Sequence, residues 1–233
     1  YKKGDYLLYE SDPYLGITII TDTTERSPTF SLYPFENIHE NDPKISLCYL
    51  YMPSAPDSSK AWDSLLWRKP RTLEWPDIGG IASMKRLLGF DFSAKVLERR
   101  QNAEKHAVQH IFRIAHVDSG IEFRLEKNTH HLQTPFTDPL CHHLILKMIL
   151  NTHSTLIMGR LGRYQGNVMT YVKASNNKLI DRSIRYIDLV LKNEGIHASY
   201  SEICKALYEV LEVMPPDQSV VLTTAEKIKK DKK

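Results

Sequence analysis

Lys147 stands in the run Leu144-Ile145-Leu146-Lys147-Met148-Ile149-Leu150, a cation among aliphatic neighbours. Taking an unpaired ammonium out of water costs several kcal/mol. The side chain must therefore find an anion or reach solvent. Asn151 and Ser154 follow at i+4 and i+7, and His143 precedes by four, so in a helix these residues share one face. Two chemistries fit that arrangement. A lysine flanked by an amide and a hydroxyl can hold a bound phosphate through charge-assisted hydrogen bonds. The same lysine can also lay its stem along its neighbours and leave its head in water. The residues alone leave both open.

Other chemistry-bearing residues point less far. Histidines occur at 106 and 110, 130 and 131, and 142 and 143. His106 and His110 would share a helical face if a helix extended that far, but no third ligand has a recognisable spacing, so no metal is expected. Lys178, Arg182 and Arg185 read as a solvated basic strip. No G-x-S-x-G, Walker or dinucleotide fingerprint is present, and no cofactor is expected. Cys48, Cys141 and Cys204 are odd in number, far apart and without a CxxC pair. They read as free thiols of a reducing compartment, hence a cytoplasmic location.

Bulk properties narrow the class further. Of 233 residues, 42% are hydrophobic and 25% charged, which suits a substantial core and argues against disorder. No apolar run approaches the roughly 18 residues of a membrane span, so no membrane partner is expected. The net charge of +3 is drawn largely from the final AEKIKKDKK, which reads as a frayed, solvated tail rather than a nucleic-acid arm. The chain opens at Tyr1 without a methionine or signal peptide, as a piece of a longer protein would.

Several elements must position the lysine. Asp5 to Glu10 reads as a short buried strand. Ser11 or Asp12 can cap a following helix, and Pro13 suits its first turn. Against that, the β-branched run Ile17 to Thr21 reads by periodicity as a strand. Ile45 to Met52 is a strand, Asp57 to Trp67 a capped helix, and Phe92 to His106 a charged helix. Val108 to Val117 and Ile121 to Glu126 read as paired strands about a turn at Asp118-Ser119-Gly120. Thr137 to Leu161 is a long helix carrying Lys147. A helix capped by Ser175 or Asn176 presents Ile180, Ile184, Ile187 and Leu191 as one buried stripe. A last helix begins at Ser199 or Ser201, runs to Val213 and is stopped by Pro215-Pro216. Strands that alternate with helices imply an α/β class with a mainly parallel sheet flanked by helices, followed by a short C-terminal helical cap.

One block carries a family resemblance. Residues 150–185 contain Leu150-Asn151, a turn from Gly159 to Gly162, Gly166-Asn167 with Met169, and Asn177-Lys178-Leu179 with Arg182. This pattern resembles the C-terminal part of the sugar isomerase (SIS) domains of N-acetylmuramic acid 6-phosphate etherases and of the glucokinase regulatory protein. The segment Asp22 to Phe30 is similar to the etherases' D-x-x-E-x-x-P-T-F. The resemblance implies a three-layer SIS fold, and it implies a helix over Pro13 to Thr24, which we adopt against the periodicity. Residues 35 to 135 match only by the order of their elements.

The resemblance also implies a site. Family members cradle a sugar phosphate on a G-x-G-T-S-G loop after the first strand, with its donors at a helix N-terminus. Here Ser11-Asp12-Pro13-Tyr14-Leu15-Gly16 replaces that loop. Gly16 alone stays in register, Asp12 brings a negative charge, Pro13 removes a donor, and Ser11 remains as one hydroxyl. The cradle is therefore expected to be lost. Glu25 matches the etherases' catalytic acid/base. Lys147 matches a lysine that, in the second SIS domain of the regulatory protein, reaches a phosphosugar held mainly by the first. That second domain also opens with a Lys-Lys-Gly lead-in, as Lys2-Lys3-Gly4 does here. The expectation is a second, degenerate SIS domain over 1–195 with a helical cap and basic tail over 196–233. It would bind a phosphosugar through Lys147, Asn151, Ser154 and Ser11, in a site completed by another SIS domain of the same protein or of a homodimer. A sugar kinase is a further candidate partner. The alternative is an etherase-like lyase or phosphosugar isomerase with Glu25 as the catalytic residue.

Overall fold

The first strand, β1 (Tyr6–Ser11), is shielded on both faces, with Leu7, Leu8, Tyr9 and Ser11 all buried. Such a strand needs neighbours on both edges and layers on both sides. It has β2 (Cys48–Tyr51) and β3 (Gln109–Val117) on its two edges, both parallel to it. In this computed structural model, residues 4–29, 35–40, 45–118, 120–215 and 218–232 are described, with the side chains of 27–29 left aside. Lys2, Lys3, Phe30, Ser119 and Pro216, which figured in the sequence expectations, lie outside the described residues.

Beyond β3 the sheet turns antiparallel through β4 (Gly120–Leu125) and β5 (Asn128–Gln133), giving the order β2-β1-β3-β4-β5. The paired strands expected over 108–126 are thus found. The polar edge strand β5 was not anticipated, because its residues are almost all exposed and show no apolar alternation.

Helix α1 (Pro13–Thr29) settles the conflict at Ile17 to Thr21 in favour of the helix and extends it past Thr24. Asp12 Oδ1 accepts from Leu15 N at 2.9 Å, so Asp12 is the cap. The β-branching penalty of a few tenths of a kcal/mol per residue is outweighed by burial of Leu15, Ile19 and Ile20. The threonine hydroxyls are absorbed by the helix itself: Thr23 and Thr24 donate to the carbonyls of Ile19 and Ile20. Gly16 lies where a Cβ would stand 2.8 Å from Leu65 Cδ1, so its register reflects close packing against α2 (Ser58–Leu66).

Asp57 caps α2, accepting from Lys60 N at 2.9 Å. The short helices α3 (Gly79–Ala82) and α4 (Met84–Gly89) follow. The helix expected over Phe92 to His106 is the shorter α5 (Val96–Ala103), since Asp91 Oδ1 accepts from Ser93 N and holds a turn before it. Fully buried Arg100 anchors α5, donating to Glu36 Oε1, Ser46 O and Gln109 Oε1. The long helix is α6 (Pro139–Arg160).

The chain divides into two compact units, Tyr1–Thr24 with Tyr33–Thr152, and Glu25–Leu32 with His153–Lys233. The first holds the sheet. In the second, β6 (Tyr164–Gln165) and β7 (Val168–Met169) form a hairpin about Gly166-Asn167. Gly166 has φ +58 and Asn167 does not share the left-handed region, as a turn with glycine at its first central position requires. The helices α7 (Asn177–Asn193), α8 (Tyr200–Val213) and α9 (Val220–Asp231) pack around Ile184, Ile187, Leu191, Ile203, Leu207 and Val221. Asn176 and Ser199 are the caps of α7 and α8. The tail read as frayed is a helix instead. α9 buries Val220, Val221, Ala225 and Ile228, and its Lys229 pairs with Glu194 and Glu226.

Candidate functional site

The sheet order places β1 between β2 and β3, and the chain leaves β1 through α1 toward β2 before returning to β3 on the other side. At such a reversal, the crevice beyond the carboxyl ends of the strands is where open α/β sheets take ligands. Here that crevice is bridged from within. Asp12 Oδ1 accepts from Leu15 N in the first turn of α1, and Oδ2 accepts from His116 N on β3 at 3.1 Å. A carboxylate thus occupies the anion position at a helix N-terminus. Ser11 is buried and its hydroxyl donates to Asp12 O at 3.0 Å, so it is turned onto the backbone.

A ladder of polar contacts leads away from Asp12. Tyr14, Thr18 and Asp22 recur every four residues on α1, and His143 and Lys147 do so on α6. Thr18 Oγ1 and His143 Nδ1 are 2.8 Å apart. Lys147 Nζ lies 3.4 Å from Asp22 Oδ1, where the aspartate side chain is 3% exposed and the lysine 31%. The greasy stretch of α6 therefore carries its cation toward an aspartate of this chain. The sequence reading missed Asp22, whose partner lies 125 positions away; its signal was the matching four-residue spacing on the two helices.

Rings surround the top of the ladder. The Tyr14 ring stands 4.7 Å from His116 and 4.9 Å from His143, and His116 stands 4.9 Å from His142. His142 Nε2 lies 2.9 Å from Phe136 O, a carbonyl that can only accept. That nitrogen therefore carries the proton, and Nδ1 accepts from Tyr14 Oη at 3.3 Å. Burial, then the neighbouring His142, pushes the His143 pKa down from its ordinary value. Burial, then the Asp12 and Asp138 charges, pushes Tyr14 up. At neutral pH His143 and Tyr14 are thus both uncharged.

The expected site residues are assigned to both compact units. Ser11, Lys147 and Asn151 fall in the first unit, with Asn151 exposed on α6. Glu25, exposed on α1, and Ser154, half-buried on α6, fall in the second. The helical face imagined for His106 and His110 does not form. His106 lies in the turn before β3, and His110 is a β3 residue whose Nε2 lies 2.9 Å from Asp5 Oδ2. Among the described residues no three His, Cys, Asp or Glu side chains are grouped to hold a metal, and no helix is long and apolar enough to cross a membrane.

Comparison with known proteins finds N-acetylmuramic acid 6-phosphate etherases among the relatives. An N-acetylmuramic acid 6-phosphate etherase of Staphylococcus aureus is 30% identical over 217 residues, covering 91% of this chain and 68% of that protein. Etherases of Porphyromonas gingivalis and Bacteroides thetaiotaomicron are 61% identical over 41 residues and 50% over 56. These shorter matches take in 18% and 24% of this chain, and only 15% and 18% of the respective relatives. No family model matches the chain, and no solved structure does.

Proposed function

The chain belongs to the N-acetylmuramic acid 6-phosphate etherase family, and from that premise we propose that it is a phosphosugar-binding SIS module with a closed phosphate loop of its own. Lys147 serves a site completed by another SIS domain, in the same protein or in a second copy. The Asp12 carboxylate carries this reading. Leu15 N, in the segment that replaces the family loop, already donates to Asp12, and so does His116 N of β3. A phosphate arriving there would meet a like charge. Lys147, by contrast, keeps nearly a third of its side chain exposed beside Asp22. Its ammonium has three donors, enough to hold its aspartate and a ligand oxygen together. Asn151, exposed at i+4 along α6, is the neighbour that would add a hydrogen bond to the ligand, and amino-sugar or hexose phosphates are the ligand class. A sugar kinase is the partner such a sensor would regulate.

Calorimetric titration of N-acetylmuramic acid 6-phosphate and hexose 6-phosphates into the full-length assembled protein tests this. Loss of a charge-assisted hydrogen bond in Lys147→Ala weakens binding about tenfold to a hundredfold. Unchanged affinity in a folded variant refutes the role.

The etherase name of the relatives and the exposure of Glu25 favour a second reading, an etherase-like lyase with Glu25 as acid/base. Turnover of N-acetylmuramic acid 6-phosphate that Glu25→Gln abolishes would establish it in place of the first.

A further inference from the structure

We propose that Tyr14, His116 and His143 form a shelf for the uncharged ring of a pyranose, separate from the Lys147 contact. The shelf lies at the carboxyl ends of β1 and β3. Tyr14 is flanked by His116 and His143 at 4.7 and 4.9 Å, and His142 sits behind, buried. His142 uses both ring nitrogens, on Tyr14 Oη and on Phe136 O. His143 uses only Nδ1, on Thr18. Among the described residues, no hydrogen bond engages the His116 ring or His143 Nε2. Tyr14 Oη gives its proton to His142 and keeps its lone pairs for an acceptor role.

The open groups thus form a mixed set. The His116 ring nitrogens and His143 Nε2 offer donor or acceptor according to tautomer; Tyr14 offers an acceptor. Hydroxyl groups, which donate and accept, satisfy such a set. A phosphate would instead bring its negative charge beside Asp12 and Asp138. The surrounding charge sorts ligands the same way. Asp12, between β1 and α1, and Asp138, ahead of α6, are the acidic groups facing Tyr14. His143 is faced by His142, Asp12 and His116, and burial pushes its pKa down, away from the charged form that an anion would need. The exposed His116 ring and the half-buried Tyr14 ring supply ring surface against which the C–H face of a pyranose can pack. Lys147 meets Asp22, eight residues beyond Tyr14 and about 12 Å along the α1 axis, so the two contacts are distinct. The choice of a sugar as ligand rests on the function proposed above; the composition of the shelf does not.

The test follows the histidine ring protons of the folded chain by NMR while three probes are added separately: N-acetylglucosamine, inorganic phosphate and a hexose 6-phosphate. The inference expects saturable shifts at His116 and His143 with the neutral sugar and none with phosphate. His116→Ala, at an exposed position, weakens neutral-sugar binding about fivefold. Tyr14→Phe, which removes only the hydroxyl, also weakens it. Shifts with phosphate but not with N-acetylglucosamine overturn the inference, as does silence with both. Lys147→Ala keeps the two proposals apart. Weakened phosphosugar binding with unresponsive histidines leaves the Lys147 site standing and removes the shelf. Responsive histidines with a Lys147→Ala variant that binds phosphosugar normally do the reverse.

Discussion

Replacing Lys147 by methionine removes the cation from a carboxylate that is nearly sealed from water. At 3.4 Å, and with an effective dielectric of about 20, the attraction between Lys147 and Asp22 is about 5 kcal/mol. Desolvating the aspartate offsets several kcal/mol of it. Deleting one partner of a fully buried pair costs about 3–5 kcal/mol. The partial exposure of Lys147 reduces that, and Lys147→Met should destabilise the first unit by about 2 kcal/mol. Asp22→Asn alone should cost about 1 kcal/mol, because the amide needs no counter-charge. The double variant should recover most of the loss, giving a coupling of about 1–2 kcal/mol. Urea denaturation followed by circular dichroism on all four proteins measures this. A Lys147→Met variant within 0.5 kcal/mol of wild type, or a coupling indistinguishable from zero, would show a lysine solvated rather than paired. The same series guards the binding experiment, since affinity lost by Lys147→Ala counts only where the variant is folded.

Three further outcomes follow from the packing. Arg100→Met should cost about 3–5 kcal/mol in denaturant unfolding, since Glu36, 2% exposed, would be left buried without its guanidinium. Gly89→Ala should cost about 2–3 kcal/mol, because the new Cβ would stand 2.0 Å from Asn37 Oδ1 and displace the Asn37 bonds to Arg86 O and His39 N. Burial holds His153 down to about 4 in the folded chain, against 6.5 ordinarily. Between those values the unfolded chain takes up a proton that the folded one refuses. Stability should therefore fall by about 2–3 kcal/mol as pH drops from about 6.5 to about 4, and His153→Gln should flatten that slope.

Much of the fold was legible because local chemistry and burial agreed. Asp57, Asn176 and Ser199 sit where caps belong, and the stripe Ile184, Ile187 and Leu191 is core. At α1 the Asp12 cap and Pro13 pointed to a helix and the β-branched run to a strand; the family pattern decided between them, and tertiary burial outweighs the β-branching. The last helix was hidden by its lysines, although Val220, Val221, Thr224, Ala225 and Ile228 already carry a helical spacing. β5 had no signal to read: five exposed polar residues and Leu132 become a strand only because β4 offers an edge. At the site, Lys147 was recognisable as a cation out of place, but its aspartate was not. The ring cluster escaped notice because Tyr14, His116, His142 and His143 come from three elements that only the fold brings together.

The most direct measurement is a crystal structure of the assembled protein with a hexose 6-phosphate bound, read for the position of phosphorus. The account predicts phosphate oxygens within hydrogen-bond distance of Lys147 Nζ, with Asp12 still bridging Leu15 N and His116 N. Phosphate resting on the backbone of Ser11 to Gly16, with Asp12 displaced and Lys147 untouched by ligand, would contradict it.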